Sequence, residues 1–356
     1  MKVFEKNKIV ADDLYDITSS TIDWSKFKGC TILISGGAGL LGSYIVKSFL
    51  FANEIYNLNL SIICITRSRK GINYRLKDWK KNDNMKIYVH DVVDELPDDF
   101  PSVQYIIHAA SNASPVLYGT DPLGTISANT SGTEMLLKFA VKSKVKKFLF
   151  FSSGEVYGVT KDELLTEDNF GYINPLDIRS VYAESKRLGE SLCSAYNKKY
   201  ELDISIARPF HTYGPGIDFK DGRVFSDFVA SIVNRNDIYM QSNGNVLRPF
   251  CYISDATIAF IKILSINNGF NAYNVSNPDA EISIKNLAKM LIEIFQDREI
   301  SIVYKRNNPT NTYLESPIMR QIVSINKIRN LGWEPKIDLV EGFTKTVSSF
   351  FKENNI

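Results

Sequence analysis

Short apolar runs alternate with longer amphipathic stretches along most of the chain. The runs at 31–35, 62–66, 87–90, 105–108, 148–152 and 204–207 read as buried strands. Between them, periodic apolar positions predict helices over 41–51, 133–142 and 181–200. Strands that alternate with helices imply a parallel sheet covered on both faces. The expected fold is α/β, a Rossmann-type doubly wound parallel sheet. Beyond about residue 210 the pattern changes. Gly214-Pro215-Gly216 breaks it, and helices follow near 225–234 and 284–295. We expect a smaller C-terminal substrate-binding lobe built from 210–249 and 277–356. The dinucleotide-binding domain is expected over 29–209, with 252–264 and 272–275 returning to the main sheet within a segment of about 250–276. Residues 1–28, polar and acidic around Asp12, Asp13 and Asp16, read as an N-terminal extension packed on the outside, with Trp24 and Phe27 as anchors.

The first strand runs into Gly36-Gly37-Ala38-Gly39-Leu40-Leu41-Gly42, followed by an amphipathic helix. Glycines permit a tight turn and let backbone N–H groups and a helix N-terminus approach a pyrophosphate. A glycine triplet between strand and helix, early in a βαβ series, is the position for dinucleotide binding. In such folds the second strand usually ends in an acid that holds the adenosine ribose of NAD. Here it ends in Thr66-Arg67-Ser68-Arg69. Two guanidiniums, Arg67 and Arg69, suit a 2′-phosphate, which favours NADP over NAD and leaves NAD(P) open between the two. Asp91 and Val92, after the third strand, are placed to contact the adenine.

Composition narrows the alternatives. The chain has 356 residues, 44% of them hydrophobic, enough for a large core. A net charge of +2 without a dense basic tract gives no sign of nucleic acid or membrane-surface partners. The N-terminus lacks an apolar signal core, and no run approaches a membrane span. Cys30, Cys64, Cys193 and Cys251 are scattered, as expected for reduced thiols in the cytoplasm. His90, His108 and His211 form no metal-ligand pattern, so no metal is expected.

The chemistry centres on Tyr182-Ala183-Glu184-Ser185-Lys186. Tyrosine and lysine four residues apart share one helix face. A nearby ammonium favours the phenolate, so Tyr182 tuned by Lys186 can exchange a proton with a sugar or alcohol hydroxyl. Upstream, Phe151-Ser152-Ser153-Gly154-Glu155-Val156-Tyr157-Gly158 closes the fifth strand. Carboxyl ends of strands face the ligand crevice, where the Ser153 hydroxyl can bind the oxygen that Tyr182 deprotonates.

With these motifs in place, the chain resembles the extended short-chain dehydrogenase/reductases, the nucleotide-sugar epimerases, dehydratases and decarboxylases, from about Thr31 to the C-terminus. Within them it is most similar to the UDP-glucuronate decarboxylase (UDP-xylose synthase) group. Ala110-Ser111-Asn112-Ala113-Ser114-Pro115 with Tyr118 resembles the group's Ala-Ser-Pro-Ala-Ser-Pro-x-x-Tyr segment. Asn129-Thr130-Ser131-Gly132-Thr133, Asn174-Pro175 with Arg179, Asp221-Gly222-Arg223-Val224 and Leu247-Arg248-Pro249-Phe250 follow its pattern. So does Leu331-Gly332-Trp333-Glu334-Pro335.

The resemblance implies that Tyr182 is the acid/base, Lys186 its tuner and a ribose ligand, Ser153 the hydroxyl partner, and Glu155 a neighbour of the sugar's C5–C6 end. It implies cofactor contacts from Gly36, Gly39, Leu40, Leu41 and Gly42, and from Ala109, Ala110 and Asn129. Ser111, Ser114, Tyr118, Arg179 and His211 are implied on the substrate side, with Arg223 and Arg248 on the pyrophosphate. A homodimer through a four-helix contact is implied, as is a place in surface-polysaccharide precursor synthesis.

Four departures bear on the substrate. Gly154 stands where the decarboxylases have serine and the 4,6-dehydratases an aspartic acid, which argues against dehydration. His211 replaces an asparagine, Gly216 an arginine, and Thr66-Arg67 an Asp-Asn pair. Transient oxidation at C4 leaves three outcomes open: decarboxylation, which Glu155 favours; C4 epimerisation; or NADPH-dependent reduction of a 4-keto sugar. A non-catalytic NAD(P)-binding regulator is the remote alternative, and such proteins usually lose the tyrosine or the lysine that stand here.

Overall fold

The computed structural model describes residues 5–304 and 318–351. Residues 1–4 of the expected extension, and 305–317 and 352–356 of the expected lobe, lie outside the described residues. Seven strands form the central sheet: β1 (Thr31–Ser35), β2 (Ser61–Thr66), β3 (Met85–Val89), β4 (Tyr105–His108), β5 (Lys147–Phe151), β6 (Ile204–Pro209) and β7 (Asn271–Val275). Their order is β7-β6-β5-β4-β1-β2-β3, and every adjacent pair is parallel. The order reverses between β1 and β4, where Ser35 pairs with His108. A crevice at such a switch point is where doubly wound sheets bind ligands.

Strand side chains alternate between two cores, as a period of two requires. Ile32, Ile34, Ile62, Cys64, Leu149 and Phe151 enter one core. Leu33, Ile63, Ile65, Phe148 and Phe150 enter the other. Helices Leu40–Tyr56 and Ile253–Ser265 cover the first face, and helices Ser131–Ser143 and Ser180–Tyr200 the second. Burial of both faces makes the inner strands mostly apolar and legible in the sequence.

Two expectations change. The N-terminal segment is not an outer extension. Helix Lys8–Thr18 places Leu14 and Ile17, both fully buried, in the first core. The acidic run conceals an apolar stripe, Val10, Leu14 and Ile17, at helical spacing. Phe27 packs edge-on against Phe49 and Tyr105, with centroids 5.0 and 5.1 Å away. Asp13 is fully buried, accepts hydrogen bonds from the Tyr252 and Tyr44 hydroxyls (2.8 and 3.1 Å), and pairs with Lys345 at 2.8 Å. Burial raises its pKa against the opposing pull of Lys345. The stretch 252–264 does not join the sheet either. It forms helix Ile253–Ser265, buried on nearly every side because Lys8–Thr18 and Trp333 also pack on it. Only Asn271–Val275 adds a strand.

Beyond β6 a smaller three-stranded sheet, in the order Glu281–Ser283, Leu247–Tyr252, His211–Tyr213, is packed by helices Val224–Asn234, Ile284–Ile294 and Leu339–Ser348. Among the described residues no helix is long and apolar enough to cross a membrane.

Candidate functional site

The glycine loop leaves no room for side chains at its turn. Gly36 has φ +69°, and a Cβ there would come within 2.6 Å of Ala110 N, at the end of β4. A Cβ on Gly42 would run into the Gly36 carbonyl. Helix Leu40–Tyr56 starts on Gly39 with no side-chain cap, so the amides of its first turn have no intrahelical partner. That is the arrangement an anionic phosphate requires.

A cavity of about 250 Å³ opens beside this loop. Its wall includes Gly36 and Gly39, Thr66 and Arg67 after β2, Asp91 and Val92 after β3, and Ala109 and Ala110 after β4. Leu40, Leu41 and Gly42 lie in the first helical turn, outside the wall. Ser111, expected on the substrate side, lines the cavity, and its buried hydroxyl has no hydrogen-bond partner among the described residues. Buried Asn129 donates to Ser185 Oγ at 2.9 Å, while its Oδ1 is likewise unpartnered. A cradle that excludes Cβ atoms and two orphaned polar atoms fit a dinucleotide. Of the two arginines after β2, Arg67 and not Arg69 reaches the wall, together with Ser68 and Lys70. Arg67 Nη2 donates to Asn112 Oδ1 at 2.7 Å, and Asn112 donates to Asp121 at 3.1 Å.

Tyr182 and Lys186 lie on one side of helix Ser180–Tyr200, and both are buried. The Tyr182 ring stacks on Tyr118 with a centroid separation of 4.8 Å, and Ser153 is the polar neighbour that most opposes the effect of burial on its phenol. Tyr118 is fixed in turn by donating to Ala113 O at 3.0 Å. Ser153 begins a short 3₁₀ helix and accepts from the Glu155 amide at 3.2 Å. The Lys186 ammonium is anchored on the backbone rather than on the phenol. Lys186 Nζ is 5.9 Å from the Tyr182 ring centroid and donates to Phe151 O at 2.6 Å. Burial pushes the Tyr182 pKa up to about 12. Burial also pushes Lys186 down to about 7, against the charge of Glu190. Burial thus favours the neutral form of both groups.

On the open side, Arg179 pairs with Glu155 at 3.2 Å, and its buried Nε has no partner among the described residues. Ser114 Oγ donates to the Asp221 carbonyl, and Arg223 pairs with the Asp221 carboxylate at 2.5 Å. Arg248 is buried and donates to Leu247 O at 2.8 Å. The charges of three guanidiniums act on His211. Burial first, then Arg248, Arg223 and Arg179, holds its pKa well below the usual histidine range. His211 is therefore a neutral group inside a positive field. Gly154 also acquires a physical account: a Cβ there would be 2.6 Å from Phe210, so the ring fills the space of a side chain.

Sequence reasoning missed the support beneath these groups. Glu190 accepts two bonds from Arg208, at 2.9 and 2.7 Å, and one from Ser152 at 2.5 Å. Arg208 also donates to Tyr157 OH at 2.9 Å, and Tyr157 to Asn274 at 2.6 Å. The available signals were a charged residue inside the otherwise apolar strand β6 and a carboxylate four residues after Lys186.

The fold and glycine loop define a dinucleotide-binding enzyme scaffold, with a buried tyrosine at the sheet's crevice. A model of the NAD dependent epimerase/dehydratase family matches residues 32–276, and the chain belongs to that family. UDP-glucuronic acid decarboxylase 6 of Arabidopsis thaliana is 34% identical over 87% of this chain and 86% of its own length. UDP-glucuronic acid decarboxylase 1 of Xenopus tropicalis is 31% identical over 90% of this chain and 72% of its own. The fold is shared with the crystal structure of a UDP-glucose 4-epimerase from Thermotoga maritima, with a TM-score of 0.76, 24% identity, and 90% and 98% of the two chains covered. A UDP-glucuronic acid 4-epimerase from Bacillus cereus, in complex with UDP-glucuronic acid and NAD, matches with a TM-score of 0.76 and 20% identity over 90% and 98%.

Proposed function

We propose that the protein decarboxylates UDP-glucuronate through transient oxidation at C4. The observation that carries this is the cationic side of the site, where Arg179 has a buried Nε with no partner among the described residues and the charges of Arg248, Arg223 and Arg179 all act on His211. A diphosphate and a sugar carboxylate are the anions such a field recruits, and relatives more than 30% identical over most of the chain carry the decarboxylase name.

Bound NAD(P) would supply reversible hydride chemistry. Gly36, the first turn of helix Leu40–Tyr56, Ser111 and Asn129 would hold it. Ser153 orients the C4 hydroxyl, and Tyr182 in its phenolate form, which the positive charge of an oxidised nicotinamide would favour, takes the proton as that carbon is oxidised. With a carbonyl at C4, the C6 carboxylate belongs to a β-keto acid. The C5–C6 bond breaks, its electron pair moves onto the C4 oxygen as an enolate, and carbon dioxide leaves. A proton from solvent is then added at C5, which restores the C4 ketone as a 4-keto pentose, and Tyr182 returns its proton to the C4 oxygen as that carbon is reduced again. Arg179 neutralises Glu155, keeping an uncompensated carboxylate away from an anionic sugar.

Arg67 and Lys70 on the cavity wall favour NADP, with NAD the alternative. An exchangeable NADPH would suit a 4-keto-sugar reductase, the second reading this pair of cations favours. Exposed Leu123 and Leu188, on the adjacent helices Pro122–Asn129 and Ser180–Tyr200, support a homodimer through a four-helix contact. Four buried free thiols suit the cytoplasm.

The test incubates the enzyme with UDP-, GDP-, CDP- and dTDP-sugars and follows products by mass. Carbon dioxide loss from UDP-glucuronate is expected. A stereoisomer of unchanged mass, or turnover only of a 4-keto sugar with NADPH, overturns the assignment.

A further inference from the structure

Position 216 is a glycine with φ +88°. A guanidinium from another element reaches it. Helix Lys70–Arg75 follows β2 directly after the Arg67–Arg69 stretch and rests on the glycine loop. A Cβ on Gly71 would meet Ala38 O at 2.6 Å. From its last turn, Arg75 Nε donates to Gly216 O at 2.8 Å, and Nη1 to Ala38 O at 3.3 Å. Tyr74 OH donates to Ile217 O at 3.1 Å. Arg75 Cγ, Nε and Cδ lie 3.8–3.9 Å from the place of a residue-216 Cβ.

The loop so held ends at Arg223. On its opposite side Ser114 donates to the Asp221 carbonyl, and a Cβ on Gly222 would run into Val116. The segment 216–223 is therefore pinned from two sides, and Arg223 Nε is fixed by Asp221 within it. We propose that Arg75 is a positioning residue for nucleotide-sugar binding: it clips the 216–223 loop to the glycine loop, so that Arg223 is aimed at the substrate diphosphate. This role presupposes that Arg223 binds the nucleotide sugar, as proposed for the site.

Calorimetric titration of UDP into wild type, Arg75→Ala, Arg223→Ala and the double variant tests it, with no turnover needed. Arg75→Ala and Arg223→Ala are each expected to weaken UDP about tenfold, and the double variant to bind no worse than Arg223→Ala, since residues acting through one another are not additive. Tyr74→Phe, which removes one loop hydrogen bond and keeps the ring, is expected to weaken UDP about threefold, and gives an independent measure should Arg75→Ala fail to fold. In turnover, Arg75→Ala should raise KM and leave kcat nearly unchanged. Additive losses in the double variant overturn the proposal. So does wild-type UDP affinity in Arg75→Ala, or in Tyr74→Phe where that is the variant that folds, while Arg223→Ala is weakened. If Arg223→Ala itself binds UDP normally, the underlying site assignment fails and the proposal falls with it.

Discussion

Glu190→Ala removes the carboxylate that organises the polar layer beneath Ser153. Three hydrogen bonds end on it, two from Arg208 and one from Ser152. The side chains of Arg208 and Glu190 are 5% and 15% exposed, so the guanidinium left behind is desolvated and half unpaired. Stripping one partner from a buried ion pair costs roughly 3–5 kcal/mol. Arg208 keeps its bonds to Tyr157 OH and Glu167 O, both 2.9 Å. That places the expected loss at the lower end, about 3 kcal/mol. Glu190→Gln keeps an acceptor oxygen and should lose about 1–2 kcal/mol. A second effect falls on Lys186. Its pKa, near 7, is lowered by burial and supported by the Glu190 charge. Without that charge it drops further, so the ammonium is lost at lower pH. If catalysis uses the protonated lysine, the alkaline limb of the kcat/KM profile moves to lower pH in Glu190→Gln. Equilibrium urea unfolding and pH–rate profiles read both. A loss below about 1 kcal/mol in Glu190→Ala, the range of exposed pairs, refutes the buried-pair account. A Glu190→Gln profile that does not move refutes the coupling to Lys186.

Three further outcomes follow from the geometry. Tyr182→Phe should keep its stack on Tyr118 and its stability while kcat falls roughly 10²–10⁴-fold, the usual worth of acid/base catalysis; kinetics with unchanged turnover would contradict it. Arg67→Ala should weaken NADPH binding about tenfold or more, a tenfold loss being 1.4 kcal/mol, and leave NADH binding nearly unchanged, as read by nucleotide fluorescence. The Asp255 carboxyl accepts the amides of Lys336 and Ile337 at 2.9 Å each, and burial raises its pKa to about 6. A raised carboxyl contributes stability below pH 3.8 that is lost as pH rises through about 6. Asp255→Asn keeps an acceptor for both amides and should flatten that part of the urea-midpoint profile relative to wild type.

Much of the fold was legible because the strands are buried on both faces. Residues 31–35, 62–66 and 148–152 stand out as apolar runs regardless of which face each side chain takes. Helix Lys8–Thr18 was not, because Asp13 sits inside its apolar stripe, and a buried aspartate is recognisable only once Tyr44, Tyr252 and Lys345 are brought to it. The same holds at the site. Tyr182, Lys186 and Ser153 follow local spacing and strand-end position. Arg75 and Arg208 act through partners 141 and 18 residues away, at Gly216 and Glu190, and no local pattern encodes those contacts. The anchoring of the Lys186 ammonium on Phe151 O was not legible either, because helical spacing places a residue on a face but does not say where its charged end is held.

Deuterium placed at C4 of UDP-glucuronate tests the central claim most directly. The account predicts that the enzyme releases carbon dioxide and that the UDP-pentose formed carries deuterium at C4, returned there after the C5–C6 bond breaks. Carbon dioxide release with no deuterium at C4, or recovery of UDP-glucuronate unchanged, would contradict it.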